Sequence, residues 1–220
     1  MCSSDLEVDL NKTVMEGPLG EYTGYYTPPS LKPVGRVTAI THRQGALFQG
    51  LLTGKPITEN HILKHIPFEA SFLKALKNQF PTIVDVSVRA SAGVSFYVVV
   101  SMQPRFAGEA RQVILAAMAS NIRPKWTIVV EPDIDVHSSS EVEWALAFRS
   151  QPREDAIIVE QIPSGPSDPS IDDPTKPRPL RAASCIGIDA TRPFGKPFSE
   201  VADVPGWEDF EMPELDEWCR

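Results

Sequence analysis

Apolar residues are spaced differently in the two halves of this chain. Beyond residue 83 they fall into short runs at strand spacing, alternating with stretches at helical spacing. Ile83–Val88 and residues 94–102 read as strands joined at Ala92-Gly93. Residues 108–121 predict a helix that turns Val113, Ile114, Ala117 and Met118 inward. Trp126–Val130 is an unbroken apolar run, the pattern of a strand covered on both faces. Ser140-Glu-Val-Glu143 has the form of a capping box and predicts a helix over 141–150. Residues 156–159 predict another buried strand, and 186–188 a last short one. Between them, residues 163–179 hold six prolines and read as a long loop. This alternation predicts an α/β fold with helices layered on a mixed sheet.

The first part of the chain is less regular. Residues 1–15 are polar, with only a short alternation over 6–10, and residues 16–33 form a Gly/Pro-rich loop. Residues 36–41 predict a strand, Gln44-Gly45 a turn, and 46–52 its hairpin partner. Residues 59–66 and 68–79 then predict two short helices, or one kinked at Pro67. Ile62, Ile66, Phe72, Leu73, Leu76 and Phe80 make one apolar face along them. The pair of strands ahead of these helices looks like the end of a separate antiparallel unit. No internal repeat is visible.

Composition narrows the function classes. The chain has 220 residues, 42% of them hydrophobic, enough for a buried core. The net charge is −8, but residues 200–220 carry eight acids against the single base Arg220, which leaves −1 for the rest. A nearly neutral body without a basic stripe argues against nucleic acid as a partner. In the tail, Trp207, Phe210, Leu215 and Trp218 are interleaved with the acids and favour docking on a partner. There is no apolar run long enough for a membrane span and no signal-peptide pattern at the start. Cys2, Cys185 and Cys219 are far apart, which fits a reducing cytoplasm better than a disulfide or zinc framework.

Five features are candidates for chemistry. Glu16-Gly-Pro-Leu-Gly-Glu-Tyr-Thr-Gly-Tyr25 places two carboxylates five residues apart on a backbone shaped by three glycines and a proline. A surface turn with two solvated acids has the same composition. His61 and His65 share a helical face at metal-ligand spacing, but no third ligand accompanies them, and an exposed helix face is the simpler reading. Asp133 and Asp135 follow a buried strand, where carboxylates either hold Mg²⁺ or a ribose, or build a turn. Lys125 precedes the same strand, as a solvated cation or a phosphate partner. Cys185 has no base nearby in sequence and reads as a buried, inert thiol. Dinucleotide, Walker and nucleophile-elbow motifs are absent.

The first of these segments resembles the catalytic loop of the UbiD-type decarboxylases. The likeness continues, in order, through Thr38-Ala-Ile-Thr-His-Arg43, Leu52-Thr-Gly-Lys-Pro56 and Gln79-Phe-Pro-Thr-Ile-Val-Asp85. It runs on through Ala107-Gly-Glu-Ala110, the segment from Lys125 to Asp135, Glu141-Val-Glu-Trp-Ala-Leu-Ala-Phe-Arg149 and Gly187-Ile-Asp-Ala-Thr191. The resemblance implies reversible decarboxylation of an aromatic or α,β-unsaturated acid, with prenylated FMN, a divalent metal (Mn or Mg) and often K⁺. It implies a site of one arginine and two acids, here Glu16 and Glu21. Glu21 would donate the proton to the carbon that loses CO₂, and Glu16 would hold the arginine. Lys125 resembles a lysine associated with the cofactor phosphate.

Such enzymes are about twice as long as this chain. The resemblance therefore implies a C-terminal half. Residues 1–57 would be the end of a split-barrel flavin-binding domain, 58–195 a C-terminal α/β domain, and 196–220 an acidic tail. The arginine, the metal ligands and most of the flavin pocket would belong to an N-terminal half or subunit, with a homo-oligomer expected. Cys185 stands where the family pattern has a lysine. A non-catalytic assembly module derived from the same family is the alternative.

Overall fold

The computed structural model describes residues 2–163, 167–171, 182–202, 204 and 206. A long antiparallel ladder comes first. Strand β1 (Cys2–Glu16) pairs with β4 (Ser30–His42), in a register from Cys2 opposite His42 to Glu16 opposite Ser30. Two-residue strands β2 (Leu19–Gly20) and β3 (Tyr26–Thr27) pair inside the connection between them. Among the described residues this ladder does not close into a barrel.

Here the expected hairpin is corrected. Residues 46–52 are not a strand, and Leu47 and Phe48 are 88% and 91% exposed. The partner of β4 is the polar opening segment. Both faces of β1 are exposed in this chain, so its residues lack the alternation that marks a half-buried strand.

Helix α1 (Glu59–Gln79) follows as one continuous helix through Pro67. The apolar face predicted for it holds only in the second half, where Phe72 and Leu76 are buried; Ile62 and Ile66 are exposed. The inward line of the first half is polar. It runs through His61, His65 and Glu69, and the Glu69 carboxylate accepts the Val88 N–H at 2.9 Å.

A five-stranded mixed sheet forms the body. Its strands are β5 (Ile83–Val88), β6 (Tyr97–Met102), β7 (Trp126–Val130), β8 (Ala156–Pro163) and β9 (Ala182–Asp189), in the order β5-β6-β7-β9-β8. The pairs β6/β7 and β7/β9 are parallel; β5/β6 and β8/β9 are antiparallel. Helix α1 and helix α2 (Glu109–Met118) cover one face, packing Phe72, Leu76, Val113 and Ile114 on Val98, Val100 and Val129. Helix α3 (Ser139–Arg149) covers the other, packing Val142 and Ala145 on Val99, Ile128 and Val130. Successive residues of β6 thus enter opposite cores, and residues 128–130 of central β7 are all apolar because both faces there are covered.

Other expectations are corrected in detail, and the last two strands are longer than expected, reaching Pro163 and starting at Ala182. The link before β6 turns through Gly93 and Val94, at φ +72° and +67°, so that strand starts at Tyr97 rather than 94. The cap of α3 is Ser138, whose hydroxyl accepts the Glu141 N–H at 3.4 Å while the Glu141 carboxylate accepts the Asp135 N–H at 2.7 Å. Residues 138–140 are all serine, and the four-residue box fits equally well two positions earlier. Strand β8 is an edge strand with Ile158 66% exposed, not a buried one. Most of the proline-rich stretch and of the acidic tail lies outside the described residues.

Candidate active site

The Glu16–Tyr25 loop is a shaped backbone. Gly17 has φ +95° and is followed by a cis bond to Pro18. Glu21 N–H donates to Tyr25 O and Gly24 N–H to Glu21 O, both at 2.9 Å, closing a tight turn. Gly24 has φ +87°, and a Cβ there would lie 2.8 Å from Lys55 Cα. Only glycine serves both demands. Glu16, at the end of β1, is exposed; Glu21 on the turn is half-buried.

Residue Tyr22 ties this loop to the α/β body. Its carbonyl accepts a hydrogen bond from His61 Nε2 at 2.5 Å. Its ring stacks on Phe96, centroids 6.4 Å apart, with Lys64 Nζ 4.3 Å from the ring centre. Burial pushes the Tyr22 phenol above its ordinary value. His61 is fully buried, which corrects the exposed helix face expected for the two histidines. Its Nδ1 accepts from Thr58 N–H at 3.1 Å, the reach-back half of a helix cap. His65 pairs instead with Glu69 at 3.1 Å. No group of three His, Cys, Asp or Glu stands together as a metal site among the described residues.

The loop forms one wall of a cleft of about 710 Å³. Thr23, Gly24 and Tyr25 line it with Lys55, Phe96, Trp126, Lys125 and Asp168. The size falls within the usual range for small-molecule sites, roughly 300–1,000 Å³. Lys125 is therefore brought to the same cleft as the acidic loop. It is not free there, since its Nζ lies 3.1 Å from Asp168 Oδ2 and 2.5 Å from Ser170 Oγ. Burial raises the Asp168 carboxyl. Hydrogen bonds from the Ser170 hydroxyl and N–H, with the Lys125 ammonium, outweigh that and hold it below its ordinary range.

Asp133 and Asp135 lie at the other end of β7. Asp133 is gripped by Arg149, with contacts of 2.9 and 2.6 Å, and those hydrogen bonds lower its carboxyl. Asp135 accepts the His137 N–H at 2.8 Å, as a turn-forming aspartate does. Cys185 is buried, and burial pushes its thiol up. Sequence reasoning missed Tyr22, Lys55 and Asp168. Tyr22 has no distinguishing pattern among three nearby tyrosines, and Asp168 sits in a stretch that reads as loop.

Comparison with known proteins places this arrangement. Residues 61–190 match the family model of the 3-octaprenyl-4-hydroxybenzoate carboxy-lyase C-terminal domain, and residues 6–56 that of the Rift-related domain of the same enzymes. The chain belongs to the UbiD family. An uncharacterized protein from Archaeoglobus fulgidus is 34% identical over 187 residues, 84% of this chain and 37% of that protein. The UbiD-class enzyme HmfF from Pelotomaculum thermopropionicum, solved with FMN, superposes with a TM-score of 0.82 at 31% identity, over 96% of this chain and 46% of that one. Vanillic acid decarboxylase from Sedimentibacter hydroxybenzoicus gives 0.73 at 28% identity, over 94% and 42%. The chain thus spans less than half the length of these proteins. No helix among the described residues is long and apolar enough to cross a membrane.

Proposed function

We propose that this chain is the C-terminal portion of a UbiD-type carboxy-lyase that reversibly decarboxylates an aromatic or α,β-unsaturated acid. One observation carries the reading: Thr23, Gly24 and Tyr25, at the end of the loop that bears Glu16 and Glu21, line a ligand-sized cleft that also holds two lysines. Residues 1–57 are read as the end of the flavin-binding split barrel, 58–195 as the α/β domain and 196–220 as a tail. A separate or upstream N-terminal half would complete the site. The exposed Leu6, Val8, Leu31, Val37 and Ile40 on β1 and β4 fit such a covering partner. The cysteine spacing favours the cytoplasm, and a homo-oligomer is part of the reading.

Prenylated FMN fits the residues present, on one side of the ring system. Tyr25, Phe96 and Trp126 offer flat apolar contacts. Lys55 has no ion-pair partner among the described residues and offers a charge for phosphate. A phosphate that engaged Lys125 would have to displace Asp168. When bound, the cofactor supplies a ring that takes up the electron pair left as CO₂ departs. Glu21 then delivers a proton to that carbon, and Glu16 accepts hydrogen bonds from the arginine of the other half. The divalent metal and K⁺ are assigned to ligands in that half.

The test is reconstitution. The chain alone, given prenylated FMN and Mn²⁺, is expected to bind the cofactor weakly and to release no CO₂. Co-expressed with its N-terminal half it is expected to turn over, and Glu21→Gln to abolish that activity. Turnover by the isolated chain, or full activity of Glu21→Gln in the pair, would refute the reading. A pure assembly module would leave the pair inactive while the oligomer still formed.

A further inference from the structure

Glu16 and Glu21 are five residues apart in sequence but are held by different parts of the molecule. Glu16 ends β1 and stands opposite Ser30 on the ladder. Glu21 opens a turn whose next residue, Tyr22, leaves the ladder and enters the α/β body. There its carbonyl is fixed by His61, and its ring lies between Phe96 and Lys64. Gly93 lies beside that ring, and a Cβ there would stand at ordinary van der Waals contact with it, 3.6 Å from Tyr22 Cε2. His61 cannot turn away. It is fully buried, and its Nδ1 is occupied by the Thr58 N–H. That contact leaves the proton on Nε2, the atom that faces Tyr22 O. Between the two acids, Gly17 supplies a backbone conformation that other residues rarely adopt.

We propose that Tyr22 and His61 are positioning residues: a strut from α1 that sets where Glu21 stands relative to Glu16. The separation of the two carboxylates is then fixed by how the ladder docks on the α/β body, not by the loop alone. Any change that loosens this docking moves one acid and leaves the other in place. The catalytic meaning of the strut rests on the function proposed for Glu21; its existence does not.

Hydrogen exchange on the full 220-residue chain tests the strut directly. His61→Leu removes the donor to Tyr22 O, and Tyr22→Ala removes the ring. Each is expected to speed exchange of the Glu21 and Gly24 amides about tenfold, the effect of one lost hydrogen bond or ring contact. Amides of β7 should stay unchanged. His61→Gln, whose amide nitrogen reaches close to the place of Nε2, should keep exchange within about threefold of the parent. In the reconstituted enzyme, His61→Leu should lower kcat about tenfold with KM little changed, and Gln should restore it. Unaltered exchange at Gly24 in His61→Leu, or an equal rise across β7, would overturn the strut. Altered exchange with unaltered kcat would overturn its positioning role. If the parent pair shows no turnover, the reading of Glu21 fails while the exchange data still decide the strut.

Discussion

Replacing Gly187 by alanine should be far more costly than its place in an ordinary strand suggests. Gly187 lies in β9 beside Thr127 of β7 and Ile157 of β8, under helix α2. An added Cβ would sit 2.1 Å from Ile114 Cγ2, 3.3 Å from Ile114 Cβ and 2.9 Å from Met118 Cε. Carbon atoms settle at about 3.5–4.0 Å, so Ile114 must retreat by roughly 1.5 Å. Met118 can swing its thioether aside. Ile114 cannot, because a β-branched side chain on a helix has essentially one rotamer. The helix itself must lift, and Val113 and Ala117 lose contact with the sheet. Overpacking of this kind costs about 1–3 kcal/mol, and the upper end is expected here. At about 2–4 °C per kcal/mol for a chain of this size, Tm should fall by about 6–12 °C. Ile114→Ala alone should cost about 2–5 kcal/mol. In the double variant the new methyl occupies space that Ile114 has left, so the combined cost should be about 1–2 kcal/mol below the sum. Urea unfolding of the four proteins measures this. A Gly187→Ala cost under about 0.5 kcal/mol, or strict additivity, would refute the packing argument.

Other expectations concern charge. Burial raises the Asp189 carboxyl, although the Thr191 hydroxyl and N–H both donate to its Oδ1. The folded state then holds this proton more tightly than the unfolded one, so stability is fully present below the unfolded value of about 4 and is lost as pH rises through the raised value. Asp189→Asn keeps the acceptor and should raise Tm at pH 7 but not at pH 4; an equal shift at both would sink the idea. Glu109 shows the opposite sign: burial raises it, but hydrogen bonds from Arg105 and Thr82 prevail and hold it low. Its contribution is present above about pH 4 and lost as pH falls through the depressed value. Glu109→Leu should therefore cost about 2–3 kcal/mol at pH 7 and less in acid; thermal scans across pH would show it, and a cost that did not shrink in acid would contradict it. Asp168→Asn releases Lys125 from its carboxylate partner, so inorganic phosphate should perturb the Lys125 NMR signal at lower concentration than in the parent. No change would mean that Asp168 does not compete for Lys125.

Where packing alone shaped the sequence, it could be read directly. Ile128, Val129 and Val130 of β7 and the inward set of α2 predict their own burial because the two cores close on them. The same reasoning failed on the first half of α1 and on β1, where no apolar core sets the pattern. The first half of α1 turns His61, His65 and Glu69 inward, to bond a loop backbone and a strand N–H rather than to fill a core. A hydrophobic-period search then selects Ile62 and Ile66, which face outward. Strand β1 has no covered face at all in this chain, so nothing imposes a period of two on it.

The acidic loop combines both situations. Glu16, Glu21 and the glycines between and after them are visible in the sequence as a shaped turn with charge. The anchoring of that turn is not visible, because Tyr22 and His61 are 39 residues apart and their bond uses a backbone carbonyl, which no side-chain pattern reports. Lys125 and Asp168 are a parallel case, joined across 43 residues. In both, the motif singles out the candidate groups, and a long-range polar contact decides how each is held. Glu21 is left half-buried on the turn two residues before the cleft-lining Thr23, whereas Lys125, which lines the cleft, is held by a carboxylate. Two residues chosen by the same resemblance therefore enter the site on unequal terms, and removing Asp168 is the change that would make Lys125 available.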